Sequence, residues 1–370
     1  MRILEALLRP LDPILLLLLA CLLGYAVVIM SSASPDRIDS QLLHTALALG
    51  LMWIVASIPA HNLLSMAPML YIAGVALLVL VQLFGETAKG AQRWLNIGFT
   101  RIQPSEVMKI AMPMMMAWFF QKREGSIDWW VFLLGAILLA VPVGLIARQP
   151  DLGTALLVAA AGIYVIFFAG LSWKLIAPIV VIGMLGIGSF AIFGDQWCQP
   201  DVDWPGLKGY QRDRVCTLLD PKLDPLGKGF HIIQSTIAIG SGGITGRGWM
   251  LGTQTHGGFL PERHTDFIFA VLAEELGLAG VLLLLALYLA LLMRGLFIAA
   301  IAPTLGTKLL AGSVTMIFFT YLFVNIGMVS GILPVVGVPL PFISYGGTAL
   351  VTLCVGVGIL MSIRRSWRER

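Results

Sequence analysis

The sequence predicts an all-α polytopic membrane protein of ten transmembrane helices, with one large extracytoplasmic loop between helices seven and eight. Three observations carry this. Of 370 residues, 58% are hydrophobic and 12% charged, where a soluble domain carries about 25% charged residues. The apolar residues gather into uncharged runs of about 20 residues, each able to cross ~30 Å of hydrocarbon at about 1.5 Å per residue. The runs are continuous and rich in Leu, Ala, Ile and Gly, whereas a barrel would show short alternating segments; backbone in lipid must satisfy its own hydrogen bonds, and such runs do so as helices.

The predicted spans are 14–31, 42–60, 66–84, 104–120, 129–147, 153–173, 175–193, 266–293, 309–332 and 345–363. The first could be a signal peptide, but no small-residue cleavage site follows it, so it reads as a retained helix. Composition excludes other classes. Hydrophobicity is too high for disorder, the 40 glycines have no period of three, and four cysteines are too few for a disulfide scaffold. A net charge of +4 without a long basic run gives no sign of nucleic acid. No internal repeat is apparent, which disfavours an inverted-repeat transporter.

Orientation follows from Lys and Arg in short loops. The densest cationic cluster is the tail, Arg364, Arg365, Arg368 and Arg370, so both termini are expected in the cytoplasm. Outer segments then still carry Arg37, Lys89, Arg93, Arg101 and Arg148, an excess that an anionic ligand on that face would explain. The chain reads as a single domain, 1–370, with 194–265 as an extracytoplasmic lid too rich in Gly and Pro to hold its own core. Within the lid, Phe230 to Ile239 is a short amphipathic run, and the Gly-rich stretch after it reads as a flexible loop. Cys198 and Cys216 both fall in the lid and are expected to pair in an oxidising space; the alternative is two free thiols.

Ionisable groups at membrane depth are costly and are candidates for function. One cluster runs from Arg93 and Trp94 through Arg101 to Glu106 and Lys109. Glu106 and Lys109 stand three apart on one helix, where a packing ion pair is the structural alternative, and the cations with an interfacial Trp suit a phosphate-bearing headgroup. A second cluster is the tight turn Arg148 to Thr154, where Asp151 could serve substrate, cap the next helix or pair Arg148. The third runs from Glu262, Arg263 and His264 to Asp266, which either caps the eighth helix or acts as a general base at the membrane surface. Glu274 lies two turns deeper and needs a partner. The segment from Leu333 to Gly347 holds three prolines and Ser344, and reads as a re-entrant loop, tolerated at membrane depth only where it is buried or lines a cavity. Asn325 reads as interhelical glue. No Walker loop, dinucleotide fingerprint, serine elbow or metal-ligand spacing is present, so ATP-driven transport, hydride chemistry and serine hydrolysis lack support.

The segments GAQRW, RIQPSEVMKI, RQPDLGT, DPLGKGFHIIQS, FLPERHTDFIFAVLAEELG and GMVSGILPVVGVPLPFISYGG together resemble the SEDS family (shape, elongation, division and sporulation). The resemblance spans about 10–363 and is nearer to the rod-shape branch than to the division branch. It implies a peptidoglycan glycosyltransferase that polymerises lipid II on the outer face of the bacterial inner membrane. The family's essential aspartate falls on Asp266, as general base toward the acceptor hydroxyl. Glu106 and Lys109 match its central cavity, and Trp94 its outer-loop tryptophan. Arg93, Arg101, Lys109 and Arg148 suit the leaving pyrophosphate, with Asp151, His264 and Ser344 as further substrate contacts. The resemblance makes no cofactor certain, and a divalent cation, Mg or Mn, could assist. The implied partners are a class B penicillin-binding protein, the elongation complex and membrane lipids. The rival readings are a lipid II flippase, which would want cations at several depths, and a non-catalytic scaffold.

Overall fold

The computed structural model describes residues 10–88, 91–96, 101–199, 202, 209–221, 227–260 and 262–368. Each of the ten predicted runs is helical: α1 (Pro13–Ala33), α2 (Ile38–Ser57), α3 (Ala60–Ser65) leading into α4 (Ala67–Phe84), α5 (Pro104–Gln121), α6 (Trp129–Arg148), α7 (Leu152–Phe168), α8 (Trp173–Trp197), then α9 (Gly209–Leu219), α10 (Lys228–Gly242) and α11 (Thr253–His256) in the lid, and α12 (Ile268–Ile301), α13 (Leu305–Val329) and α14 (Gly347–Arg368). Seven spans among the described residues are long and apolar enough to cross a membrane, with α7 a shorter apolar helix. The chain is a multi-pass, mostly helical membrane protein.

The fold is not purely helical. Between α4 and α5 the chain forms a small antiparallel sheet, β1 (Glu86–Ala88), β2 (Ala91–Asn96) and β3 (Arg101–Ile102), in the order β1-β2-β3 with Glu86 opposite Trp94 and Asn96 opposite Arg101. Strands this short give no readable period of two.

α13 is the axis of the bundle. It is buried on most of its faces and packs on α12, α7, α5 and α14. α14 lies along α2, where a Cβ on Gly358 would come within 2.6 Å of the Met52 carbonyl; only glycine lets these backbones approach so closely, as membrane helix interfaces require. At one end of the bundle Asp12 caps α1 and accepts from Arg294 at 2.5 Å, tying α1 to α12.

The eighth predicted span differs. α12 is interrupted at Gly277 (φ 64°, ψ −163°), so the continuous apolar piece begins at Leu278. The Gly-rich stretch, expected to be a flexible loop, is instead bonded into this break: Arg247 and Gly248 amides donate to the Glu274 and Glu275 carbonyls, and Leu278 and Ala279 amides donate to Gly243 and Ile244, all at 3.0 Å. Glycine is needed for contact rather than mobility, since a Cβ on Gly242 or Gly246 would lie 2.0 or 2.1 Å from the Ala273 or Glu275 carbonyl. The backbone groups freed by the break are thereby satisfied, as they must be at membrane depth. In the lid, Cys198 and Cys216 are joined by a disulfide that ties the end of α8 to α9. The amphipathic run forms most of α10, which packs on α12 and α13 with Ser235 donating to the Val329 carbonyl at 2.8 Å.

Candidate active site

Asp266 lies in the turn that delivers the lid into α12 and is half-buried. The residue at the N-cap position of α12 is Phe267, and Asp266 stands one residue before it. Its turn is fixed by backbone contacts on both sides. Asn325 of α13, fully buried, donates to the Asp266 carbonyl at 2.9 Å and to the Val338 carbonyl at 2.7 Å. The Ser344 hydroxyl donates to the Thr265 carbonyl at 2.6 Å and accepts from the Leu340 amide at 2.8 Å, while the Tyr345 amide donates to the His264 carbonyl at 2.8 Å. The Pro-rich segment 333–346 is therefore the floor on which Asp266 rests. Gly337 (φ 75°) sits directly beneath the carboxylate, where a Cβ would lie 3.3 Å from Asp266 Oδ2. Ser344 is 5% exposed and its hydroxyl is engaged in both directions, which holds the turn of Asp266 in place.

A second support comes from α12 itself. Glu274, fully buried, accepts from the Gln254 amide at 2.7 Å, the Thr255 amide at 3.0 Å, and the Thr255 and Thr253 hydroxyls at 2.8 and 3.2 Å. Glu275, also fully buried, accepts from Ser32 at 2.5 Å and meets His256 at 3.2 Å. Four donors on one carboxylate satisfy a burial that would otherwise be costly. Arg263 donates to the Thr255 carbonyl, so the segment carrying Asp266 is pinned to α12 and α1.

Beside this turn opens a cavity of about 1020 Å³ between α2, α4, α5 and α14, with Trp94, Glu106, His44 and Gly346 on its wall and leucines of α2 along its length. Glu106 and Lys109 are paired at 2.6 Å, Lys109 also donates to the Tyr321 hydroxyl at 2.6 Å, and Thr352 donates to Glu106 at 3.2 Å. Lys109 is 3% exposed, so its charge is held inside the wall while Glu106 faces the cavity.

The remaining candidates divide. Asp151 caps α7 through the Thr154 amide at 3.3 Å, accepts from Gln103 at 3.0 Å, and pairs with Arg93 at 3.8 Å rather than with Arg148. Arg93 also donates to the Pro150 carbonyl. The reason is geometric: Arg148, in the last turn of α6, is exposed, whereas β2 brings Arg93 onto the turn. Arg101 occupies β3 by its backbone, and its side chain and Lys89 lie outside the described residues. The His264 ring meets Tyr345 edge-on at 5.9 Å. Among the described residues no three His, Cys, Asp or Glu side chains converge to hold a metal ion. Sequence reasoning did not single out Gln103, Tyr321, Tyr345 or Thr352. Asn325 was visible only as a polar residue in an apolar helix.

A membrane-embedded helical bundle with a large, mostly apolar cavity and a half-buried carboxylate on a neighbouring turn defines a class, that of enzymes or carriers acting on amphiphilic substrates. The chain belongs to the FtsW/RodA/SpoVE family of cell cycle proteins, whose model matches residues 11–369. It is 51% identical to peptidoglycan glycosyltransferase MrdB of Escherichia coli K12, over 95% of this chain and 93% of that one, and 35% identical to stage V sporulation protein E of Bacillus subtilis, over 96% and 97%. Among solved structures it resembles a chain of a peptidoglycan synthase complex that coordinates polymerization and crosslinking, with a TM-score of 0.80 at 35% identity over 97% and 99% of the chains. It also resembles the rod shape determining protein RodA of Thermus thermophilus, with a TM-score of 0.70 at 28% identity over 96% of each.

Proposed function

We propose that this chain is a peptidoglycan glycosyltransferase that polymerises lipid II, with Asp266 as its general base. The observation that carries the role of Asp266 is its placement: a half-buried carboxylate whose backbone is held against the 333–346 segment, beside the cavity. In the reaction the acceptor sugar hydroxyl gives its proton to Asp266 as its oxygen attacks the anomeric carbon of the lipid-linked donor. A carbon–oxygen bond forms, the bond from that carbon to the pyrophosphate breaks, and undecaprenyl pyrophosphate leaves with the electron pair. Fixing the base within reach of the hydroxyl supplies orientation that free solution lacks. The Glu106–Lys109–Tyr321 cluster sets the polarity of the cavity wall.

In this reading all ten helical runs cross the bacterial inner membrane, the whole chain is one domain, both termini are cytoplasmic, and the lid and Asp266 face outward. Its partner is a class B penicillin-binding protein within the elongation complex, by similarity to the synthase complex. The test is polymerisation of labelled lipid II by the purified protein, alone and with that partner, comparing wild type with Asp266→Asn. Glycan strands from the wild type and none from the folded variant are expected. Equal products from both would remove Asp266 from the chemistry, and translocation of lipid II without polymer would assign a flippase.

A further inference from the structure

The N-terminal end of α2 carries polar atoms that nothing in the described structure satisfies. Gln41 is 3% exposed, and both of its amide atoms are buried without a hydrogen bond. One turn further along the same face, Nδ1 of His44 is likewise buried and unpaired. Buried polar groups are normally paired, and each one left alone asks for a missing partner.

His44 lines the cavity, and so do Leu47 and Leu51 on the following turns. Arg37, which starts α2, lies seven residues before His44, so the stripe reads cation, imidazole, leucine, leucine along one face. Its polar end converges on one ring: the Arg37 guanidinium stands 5.2 Å from the centroid of Tyr345, His44 stands 6.0 Å from it and His264 5.9 Å. The polar cluster thus lies between the apolar cavity and the turn that carries Asp266. Two other cations near the cavity are engaged among the described residues, Lys109 with Glu106 and Tyr321, and Arg93 with Asp151 and Pro150. Arg37 is exposed and has no carboxylate partner among the described residues. The acidic residues of this stretch, Asp36 and Asp39, are exposed and do not line the cavity.

We propose that Arg37 and His44, grouped at Tyr345, together with Gln41 between them on α2, bind the phosphate of a polyprenyl phosphate whose chain lies in the cavity along Leu47 and Leu51. A guanidinium, an amide and an imidazole N–H are the donors a phosphate oxygen takes, and charge-assisted bonds of this kind are the strong ones. The leucines below them suit an isoprenoid and give no purchase to a polar chain. This assignment deepens the glycosyltransferase reading and rests on it for the identity of the lipid. It places the leaving group at the end of α2 and the reacting sugar toward His264 and Asp266.

The test measures binding, by native mass spectrometry, of undecaprenyl phosphate and of undecaprenol to the purified full chain, for wild type, Arg37→Ala, His44→Leu and Asp266→Asn. Each of the first two variants is expected to weaken undecaprenyl phosphate by about tenfold, the order expected for one charge-assisted hydrogen bond, and to leave undecaprenol unchanged. Asp266→Asn is expected to bind both lipids as the wild type does. Unchanged affinity in Arg37→Ala and His44→Leu, an equal loss for undecaprenol, or no binding of undecaprenyl phosphate by the wild type would overturn the site. Arg37 is on the surface, so Arg37→Ala alone decides if His44→Leu does not fold. A wild type that binds the phosphate as described but makes no glycan would instead overturn the glycosyltransferase reading and leave the site standing.

Discussion

Asn325 and Asp266 lie on different elements, and the side-chain amide of the first holds the backbone carbonyl of the second at 2.9 Å. The same nitrogen reaches the Val338 carbonyl at 2.7 Å, so one side chain sets the spacing between the turn bearing the carboxylate and the loop beneath it. Asn325→Leu keeps the volume and removes both bonds. We expect kcat for lipid II polymerisation to fall at least tenfold with KM within about twofold, because a misplaced base affects the transition state more than substrate binding. Asn325→Asp should do no better, since a carboxylate cannot donate to two carbonyls. Steady-state kinetics of the two variants decide it, and a loss confined to KM would make Asn325 a substrate contact.

The Glu106–Lys109 pair can be separated from its surroundings by a double-variant cycle. Lys109→Met leaves Glu106 without its cation in a wall where that cation is 3% exposed, and breaking a buried pair this way costs about 3–5 kcal/mol. Glu106→Gln combined with Lys109→Met removes both charges and should recover much of that loss. Thermal unfolding in detergent reads the stability of each variant. If the pair only fixes packing, polymerisation returns together with stability in the double variant; if Glu106 serves the substrate, stability returns and polymerisation does not.

Hydropathy located helix in each of the ten predicted runs, seven of which match spans long and apolar enough to cross a membrane among the described residues, because lipid demands about 20 mostly apolar residues. The same signal hid the break at Gly277, since Leu, Ala and Gly continue on both sides of it and a φ of 64° leaves no trace in composition. Asp266 was visible as a carboxylate at a helix start, but the segment on which its turn rests, reached through Asn325 and Ser344, is a tertiary fact. The capping place of Asp151 was legible and holds, whereas its ion-pair partner was not. Arg148 is adjacent in sequence, whereas Arg93 arrives through a sheet whose strands are too short to announce themselves. Ser344 was legible as a polar residue in a re-entrant loop; its two hydrogen bonds to backbone were not.

The lid disulfide closes a loop with a sequence separation of 18 between Cys198 and Cys216. In the chain-entropy model a loop of this size contributes about 3 kcal/mol. Cys198→Ser with Cys216→Ser is expected to loosen the junction of α8 and α9 while leaving α12 to α14 unaffected. Hydrogen exchange should show faster amides in 209–219 and unchanged protection in 305–329. Polymerisation should persist, because the disulfide ties α8 to α9 and is not one of the bonds from Asn325 and Ser344 that hold the Asp266 turn. Loss of activity with unchanged exchange in the lid would place the disulfide in the working site instead.

Gly277 is the position where the support of Asp266 and the path of α12 depend on one backbone conformation. Its φ of 64° is open to glycine and strained for alanine, and an added Cβ would lie 2.3 Å from the Gly246 amide nitrogen. Gly277→Ala therefore meets a strain of about 1–3 kcal/mol together with a clash against backbone that cannot rotate away. The cheaper response is for α12 to straighten, giving up the bonds from Arg247, Gly248, Leu278 and Ala279 that cross the break. Straightening would swing Glu274 off the Thr253–Thr255 turn, and with it the segment that leads into Asp266. Amides of Gly243 to His256 should then lose hydrogen-exchange protection while α13 keeps its own, and lipid II polymerisation should fall well below that of a control such as Gly50→Ala, where a Cβ meets nothing within 4 Å. Retained activity with a protected Gly-rich stretch would mean that the break in α12 does not position the catalytic turn.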